Sequence, residues 1–172
     1  MELLFHNPEL LRNIRSRLRK GRALGGIILY LLFVLLIAYI LFEGTKHSQG
    51  GSPWTEYSKQ LYFALLGIEY FVNFIMGAVL CSNTIVTDRE KNAYDFLRML
   101  PIHPAHLVIG KLLGTPILVY VLLALTLPVS LLCVSIGNIP WSIFFTTHAI
   151  LLFGGFFTHS LGLFFSSLAT KS

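Results

Sequence analysis

Residues 23–42 contain no charged side chain. Wound as an α-helix at 1.5 Å per residue, such a run is about 30 Å long, the thickness of a bilayer's hydrocarbon core. Three more runs follow it. Residues 61–86 hold one charge, Glu69; residues 112–136 hold none, with Pro116 near the start and Pro128 in the second half. Residues 143–169 lack Lys, Arg, Asp and Glu but contain His148 and His159. Only 12% of the 172 residues are charged and 55% are hydrophobic, against about 25% charged in a soluble domain. The sequence therefore predicts an all-α membrane protein: one transmembrane domain over residues 1–172 with spans at 23–42, 61–86, 107–136 and 143–169.

Loop charges give the expected orientation. Six Lys/Arg precede the first span, and four more (Arg89, Lys91, Arg98, Lys111) lie between the second and third. With Lys171, one side carries eleven and the other two, Lys46 and Lys59. Basic residues collect on the cytoplasmic side, which places the N-terminus and the loop around 87–111 there. Trp54 and Trp141 fall on the opposite side near span ends, where interfacial tryptophans anchor. The first apolar run is too long for a signal-peptide core and no small-residue cleavage site follows, so a cleaved leader is not expected. Cys81 and Cys133 sit within apolar runs without a spacing motif and read as small core residues.

Asn7-Pro8 is a helix start, with Asn as N-cap and Pro at the first helical position. Over residues 7–22, Leu10, Leu11, Ile14 and Leu18 fall on one face, and Arg12, Arg15, Arg19 and Arg22 on another. This predicts a basic amphipathic helix on the membrane surface, its arginines meeting anionic lipid headgroups at about 1 kcal/mol each; the alternative is a plain positive-inside signal with no further role. No nucleic-acid motif accompanies the cluster, and no nucleic-acid partner is expected.

Residues 87–111 are more than a connector. Thr87 and Glu90 match a capping box, T-x-x-E, and Ala93, Phe96, Leu97 and Leu100 form an apolar stripe at helical spacing. Pro101 stops the pattern. A short cytoplasmic helix is thus expected over 87–101, as an interfacial brace or a docking element.

Here the chain resembles a known family. The residues Asp88-Arg89-Glu90, Phe96-Leu97, Leu100-Pro101-Ile102 and Gly110-Lys111 are similar to those of the membrane subunit of ABC-2-type exporters. So are Leu161-Gly162-Leu163 and Ser166-Ser167-Leu168, and the basic helix before the first span. The resemblance implies that 87–101 is a coupling helix seated on a separate ATP-binding ATPase subunit. Asp88, Arg89 and Glu90 would be its polar docking cluster, and Phe96 and Leu97 its apolar anchors. It also implies six spans and a homo- or heterodimer of permeases, so the four spans here are expected to be the N-terminal part, in a bacterial inner membrane.

The chain's own residues hold no nucleotide site. Gly110-Lys111 lacks the earlier glycine of a phosphate-cradling loop and is followed by Leu112. No nucleophile elbow is present and no acid–base pair is expected at one depth. Neither enzyme activity nor a cofactor is expected, and an intramembrane enzyme built on Glu69 is a poor reading. A charge at mid-span costs about 2.5–3.5 kcal/mol on insertion scales. Glu69 should therefore face other helices or a wet cavity, helped by Asn73 one turn on. It is either a pathway residue, with Asn73, or a hydrogen-bonded packing group. His148 and His159 are about 16 Å apart along one helix, too far to share a metal, and His103 and His106 form no metal site. Each histidine is expected to bond between helices. Gly110 with Gly114, and Gly154-Gly155, are expected to admit close helix approach, and Pro128 to kink its span. The alternative to a transporter is a membrane scaffold whose cytoplasmic helix merely docks a partner.

Overall fold

The computed structural model describes residues 8–18, 20–46, 52–90 and 104–169. All regular structure among them is helical. The elements are α1 (Pro8–Arg17), α2 (Lys20–Thr45), α3 (Pro53–Phe71), a π turn (Val72–Met76), α4 (Gly77–Ser82), α5 (Thr84–Glu90), α6 (Pro104–Gly114), α7 (Ile117–Ile136) and α8 (Trp141–Leu168). Four helical stretches are long and apolar enough to cross a membrane: Ala23–Thr45, Pro53–Asp88, Ile117–Ile136 and Trp141–Leu168. In hydrocarbon every backbone group must be satisfied within its own segment, which is why runs of this composition wind as helices.

The second stretch is the centre of the fold. Its first half, α3, packs on α2 and α7, and its second half, α4, packs on α8. The core between them includes Tyr62, Leu65, Val119, Val134 and Leu151, all buried. The first stretch is peripheral: Leu29, Leu32, Leu35 and Tyr39 are exposed. So is the outer face of α8, with Phe145, Phe153, Phe157 and Phe165. Exposed apolar faces of this size suit lipid.

Glycines on both elements let α8 approach the second stretch closely. A methyl group at Gly77 would collide with the His159 ring, and one at Gly155 with the Asn73 side chain. Gly154 similarly lies under Phe74.

At one end of the bundle Trp54 packs on Phe42 at 5.8 Å between ring centroids, and Trp141 on Phe144 at 6.0 Å. The turn from α7 to α8 is built locally at that end. Ile139 N–H donates to Val134 O at 3.1 Å and Gly137 N–H to Cys133 O at 2.8 Å. Asn138, between them, has φ 51°. This is a Schellman cap with asparagine in the left-handed position, followed by Pro140, which cannot continue a helix. The expected grouping of Trp54 and Trp141 at one end is observed.

α1 and α6 meet at the other end. Asn13 is buried over Gly114, where an added methyl would come within 2.8 Å of the Asn13 Cβ. The inward face of α1 thus includes Asn13, while Leu11 is exposed together with Arg12 and Arg15. Leu10, Leu11, Ile14 and Leu18 were expected to form one apolar face lying on the membrane surface. The difference arises because α1 is held by a protein groove at Gly114, not by lipid alone.

Three breaks interrupt the stretches. Pro116 lacks an N–H and its ring crowds the preceding turn, so α6 and α7 are separate helices where one span was expected to run through. The π turn and Asn83 divide the second stretch. Pro128 lies inside α7 without ending it.

Candidate functional site

At the end where α1 lies, an acid gathers two bases. Asp88 on α5 is ion-paired to Lys111 on α6, whose side chain is 1% exposed, and to Arg12 on α1 at 3.4 Å. One turn deeper, Thr84 Oγ donates to Leu80 O at 2.8 Å and shares a 3.3 Å hydroxyl–hydroxyl contact with Thr115 Oγ. This ties the break at Asn83 to the break at Thr115–Pro116. From the fourth stretch, Ser166 Oγ accepts the N–H of Ile85 at 3.0 Å and of Val86 at 3.4 Å, covering donors at the start of α5 that the turn leaves open. The helices flanking residues 91–103 are thereby clamped to each other, to α1 and to α8.

Thr87 does not start a new helix. Its N–H donates to Asn83 O at 3.0 Å, so it already lies within α5 and the expected capping box is not formed. A T-x-x-E pattern caps only where the preceding chain is non-helical, and here the helix restarts three residues earlier, at Thr84.

A second polar centre lies midway along the spans. Glu69 is 1% exposed. Its Oε1 accepts the Thr126 hydroxyl at 2.7 Å, with the Ser130 hydroxyl at 3.5 Å, and its Oε2 is 3.7 Å from His148 Nε2. An acid and a base therefore do share one depth, against expectation. Their positions in different spans hid it. Asn73 does not hold Glu69: its Nδ2 donates to Leu151 O at 2.7 Å, because the π turn starting at Val72 shifts its side chain toward α8. Above it, Tyr70 donates to Thr147 O at 2.9 Å and Tyr62 shares a 3.0 Å bond with the Thr147 hydroxyl.

His159, also fully buried, joins three spans. Its Nε2 is 3.0 Å from Asn73 O and its Nδ1 is 3.1 Å from the Tyr120 hydroxyl. The expectation of an interhelical bond holds for His159. His148 Nδ1 instead bonds Phe144 O of its own helix at 2.9 Å. No group of three or more His, Cys, Asp or Glu able to hold a metal occurs among the described residues.

The layout of an amphipathic first helix, paired breaks and clamped helices on either side of residues 91–103 extends over most of the chain, as does its sequence likeness. Residues 10–172 match the model of the ABC-2 family transporter protein. The chain belongs to the ABC-2 transporter family. It is thus a multi-pass membrane protein of a family whose members are, in general, non-catalytic membrane subunits associated with an ATPase subunit. No curated protein and no solved structure matches it.

In this ABC-2 chain the expected docking cluster divides. Glu90 is exposed, whereas Asp88 turns inward to Lys111. The Arg89 side chain, Phe96 and Leu97 lie outside the described residues, as do Arg19 and the Arg22 side chain. His103 also does. Arg15 is exposed on α1. Sequence reasoning missed Lys111 as a buried ion-pair partner, and missed Thr126 and Ser130 as the hydroxyls facing Glu69. Their spacing of four on one apolar span was the available signal, since two hydroxyls on one helical face mark where a polar group is met.

Proposed function

We propose that this chain is the transmembrane permease subunit of an ATP-driven exporter, with α1 and residues 87–101 on the cytoplasmic side. A separate ATPase subunit seats on residues 87–101, and ATP-driven closure of two such subunits moves the spans between inward- and outward-open arrangements. The ion pair of Asp88 with Lys111 carries this reading. It fastens together the two helices flanking the segment on which the ATPase would push, so that α5, α6 and α1 move as one piece.

The docking contacts come from Arg89, Glu90, Phe96 and Leu97, while Asp88 transmits the movement inward. The breaks at Asn83 and Thr115–Pro116 lie at one level, so the clamped piece can tilt there without unfolding a continuous helix. Glu69, with Asn73 beyond it, borders the substrate pathway, which a second permease, identical or not, completes. Arg12, Arg15, Arg19 and Arg22 hold the end of the bundle against anionic headgroups.

Co-purification with a co-expressed ATP-binding ATPase subunit, sought first in an adjacent reading frame, tests this. The paired reversal Arg89→Glu with Glu90→Arg should abolish association while membrane insertion is kept. Retained association would remove the docking claim. An associated complex in which the permease never alters the ATPase rate would favour the scaffold.

A further inference from the structure

Glu69 and His148 leave two polar atoms unused. Glu69 Oε2 and His148 Nε2 have no hydrogen-bond partner among the described residues. They lie 3.7 Å apart, beyond the roughly 3.2 Å at which a direct N–H···O bond is effective. The carbonyl of Phe144 can only accept, so the bond from His148 Nδ1 requires that nitrogen to carry the proton. A neutral His148 ring therefore presents a bare lone pair at Nε2. These two buried atoms lie side by side, and one of them belongs to a carboxyl group in the membrane interior.

Both residues line a cavity of about 580 Å³ between α7 and α8, within the ~300–1,000 Å³ range of small-molecule sites. Its other walls are hydrocarbon and aromatic, including Leu123, Leu127, Leu152 and Phe156. Among the described residues, Lys111 and Arg12 pair with Asp88 and not with Glu69. Among the described residues His148 is the sole basic side chain within ion-pair distance of Glu69. A charge in hydrocarbon needs a partner, and two lone pairs need donors.

We propose that this cavity binds a single-chain amphiphile with a primary ammonium head. Its N–H groups donate to Glu69 Oε2 and His148 Nε2, its charge neutralises Glu69, and its hydrocarbon tail lies along the Leu and Phe wall of α7 and α8. An anionic head would meet Glu69 as a like charge and bring no donor. A quaternary ammonium brings charge without a donor, and an alcohol brings a donor without charge. The site thus distinguishes heads carried on one tail. Calling the ligand the transported substrate rests on the exporter reading; the binding itself does not.

The test uses the full chain in nanodiscs of zwitterionic lipid, with neither ATPase nor nucleotide. Radiolabelled dodecylamine is the probe, and uptake by empty nanodiscs is subtracted. Saturable binding is expected, weakened at least about tenfold by Glu69→Gln, a loss of about 1.4 kcal/mol. Dodecanol and dodecyltrimethylammonium should each compete at least about tenfold more weakly than dodecylamine. Ala124→Phe fills the cavity from its exposed side and should abolish binding with elution and thermal unfolding unchanged, which separates site loss from misfolding. Equal competition by dodecanol, or full binding by Glu69→Gln, overturns the proposal. So does the absence of saturable binding, the outcome expected if a further span or a second copy fills the cavity. Intact binding with lost ATPase association would overturn the exporter reading alone.

Discussion

His159 Nε2 meets the backbone carbonyl of Asn73 at 3.0 Å, inside the π turn of the second membrane stretch. There Gly77 N–H reaches back to Val72 O, skipping the Asn73 carbonyl that an α-helical bond would have used. A carbonyl only accepts, so Nε2 carries the proton and Nδ1 accepts the Tyr120 hydroxyl at 3.1 Å. One side chain thereby joins three spans, and it fits because residue 77 has no Cβ.

Gly77→Ala should consequently destabilise the protein. The new methyl would overlap the His159 ring, and overpacking of this kind costs about 1–3 kcal/mol. Thermal unfolding in mild detergent should show a lower midpoint than wild type, and Gly155→Ala should act similarly through Asn73. Gly67→Ala is the control, because open space surrounds that position. An equal loss in the control would remove the steric account.

Replacing His159 by Leu keeps the bulk but leaves the Tyr120 hydroxyl and the Asn73 carbonyl without this partner. An unmet buried polar group costs about 1–3 kcal/mol. His159→Gln, which can still donate and accept, should recover part of that. Unfolding midpoints that rank His, then Gln, then Leu would support the bridge; identical midpoints for all three would refute it.

Breaking the Asp88–Lys111 pair by Asp88→Asn should cost about 3–5 kcal/mol, because the Lys111 charge stays buried. Adding Lys111→Met should restore much of the stability by removing that charge. The Arg12–Asp88 pair contributes little by itself, since a half-exposed pair is worth about 0–1 kcal/mol. In the ATPase complex, the stable double variant should bind the ATPase yet no longer alter its rate. Normal rates would show that the clamp does not transmit movement.

Orientation can be read from accessibility. Cys81 and Cys133 are buried, so labelling reports only introduced thiols. A membrane-impermeant maleimide added to intact cells should label Ser142→Cys, near Trp141, and spare Ser167→Cys until the cells are opened. The reverse pattern would invert the proposed topology.

The cap at Asn138 offers a local check. Its left-handed φ of 51° is tolerated by Gly and Asn, whereas other residues pay about 1–2 kcal/mol. Asn138→Gly should keep the unfolding midpoint, and Asn138→Val should lower it. A midpoint unchanged by Val would mean that the turn is not held as described.

The four long helices were legible because span length and absence of charge are properties of consecutive residues. The same holds for the two tryptophans at one end and for the small residues where helices approach. The Thr87 capping box was misread because capping depends on whether the preceding turn is helical, which the motif itself does not encode. The unbroken third span was misread because Pro116 is compatible with either the first turn of a helix or a break.

Sequence by itself determined that this chain is a helical membrane protein of four long apolar stretches, since hydrocarbon demands locally closed backbone bonds. It also carried the family resemblance that the match over residues 10–172 bears out. Only the tertiary structure decided which polar side chains meet. Glu69 faces Thr126 and His148, Asn73 turns to Leu151, and Asp88 takes Lys111. Those partners lie on different spans, and helix rotation, the π turn and glycine contacts set which faces touch. No periodicity within one span contains that information.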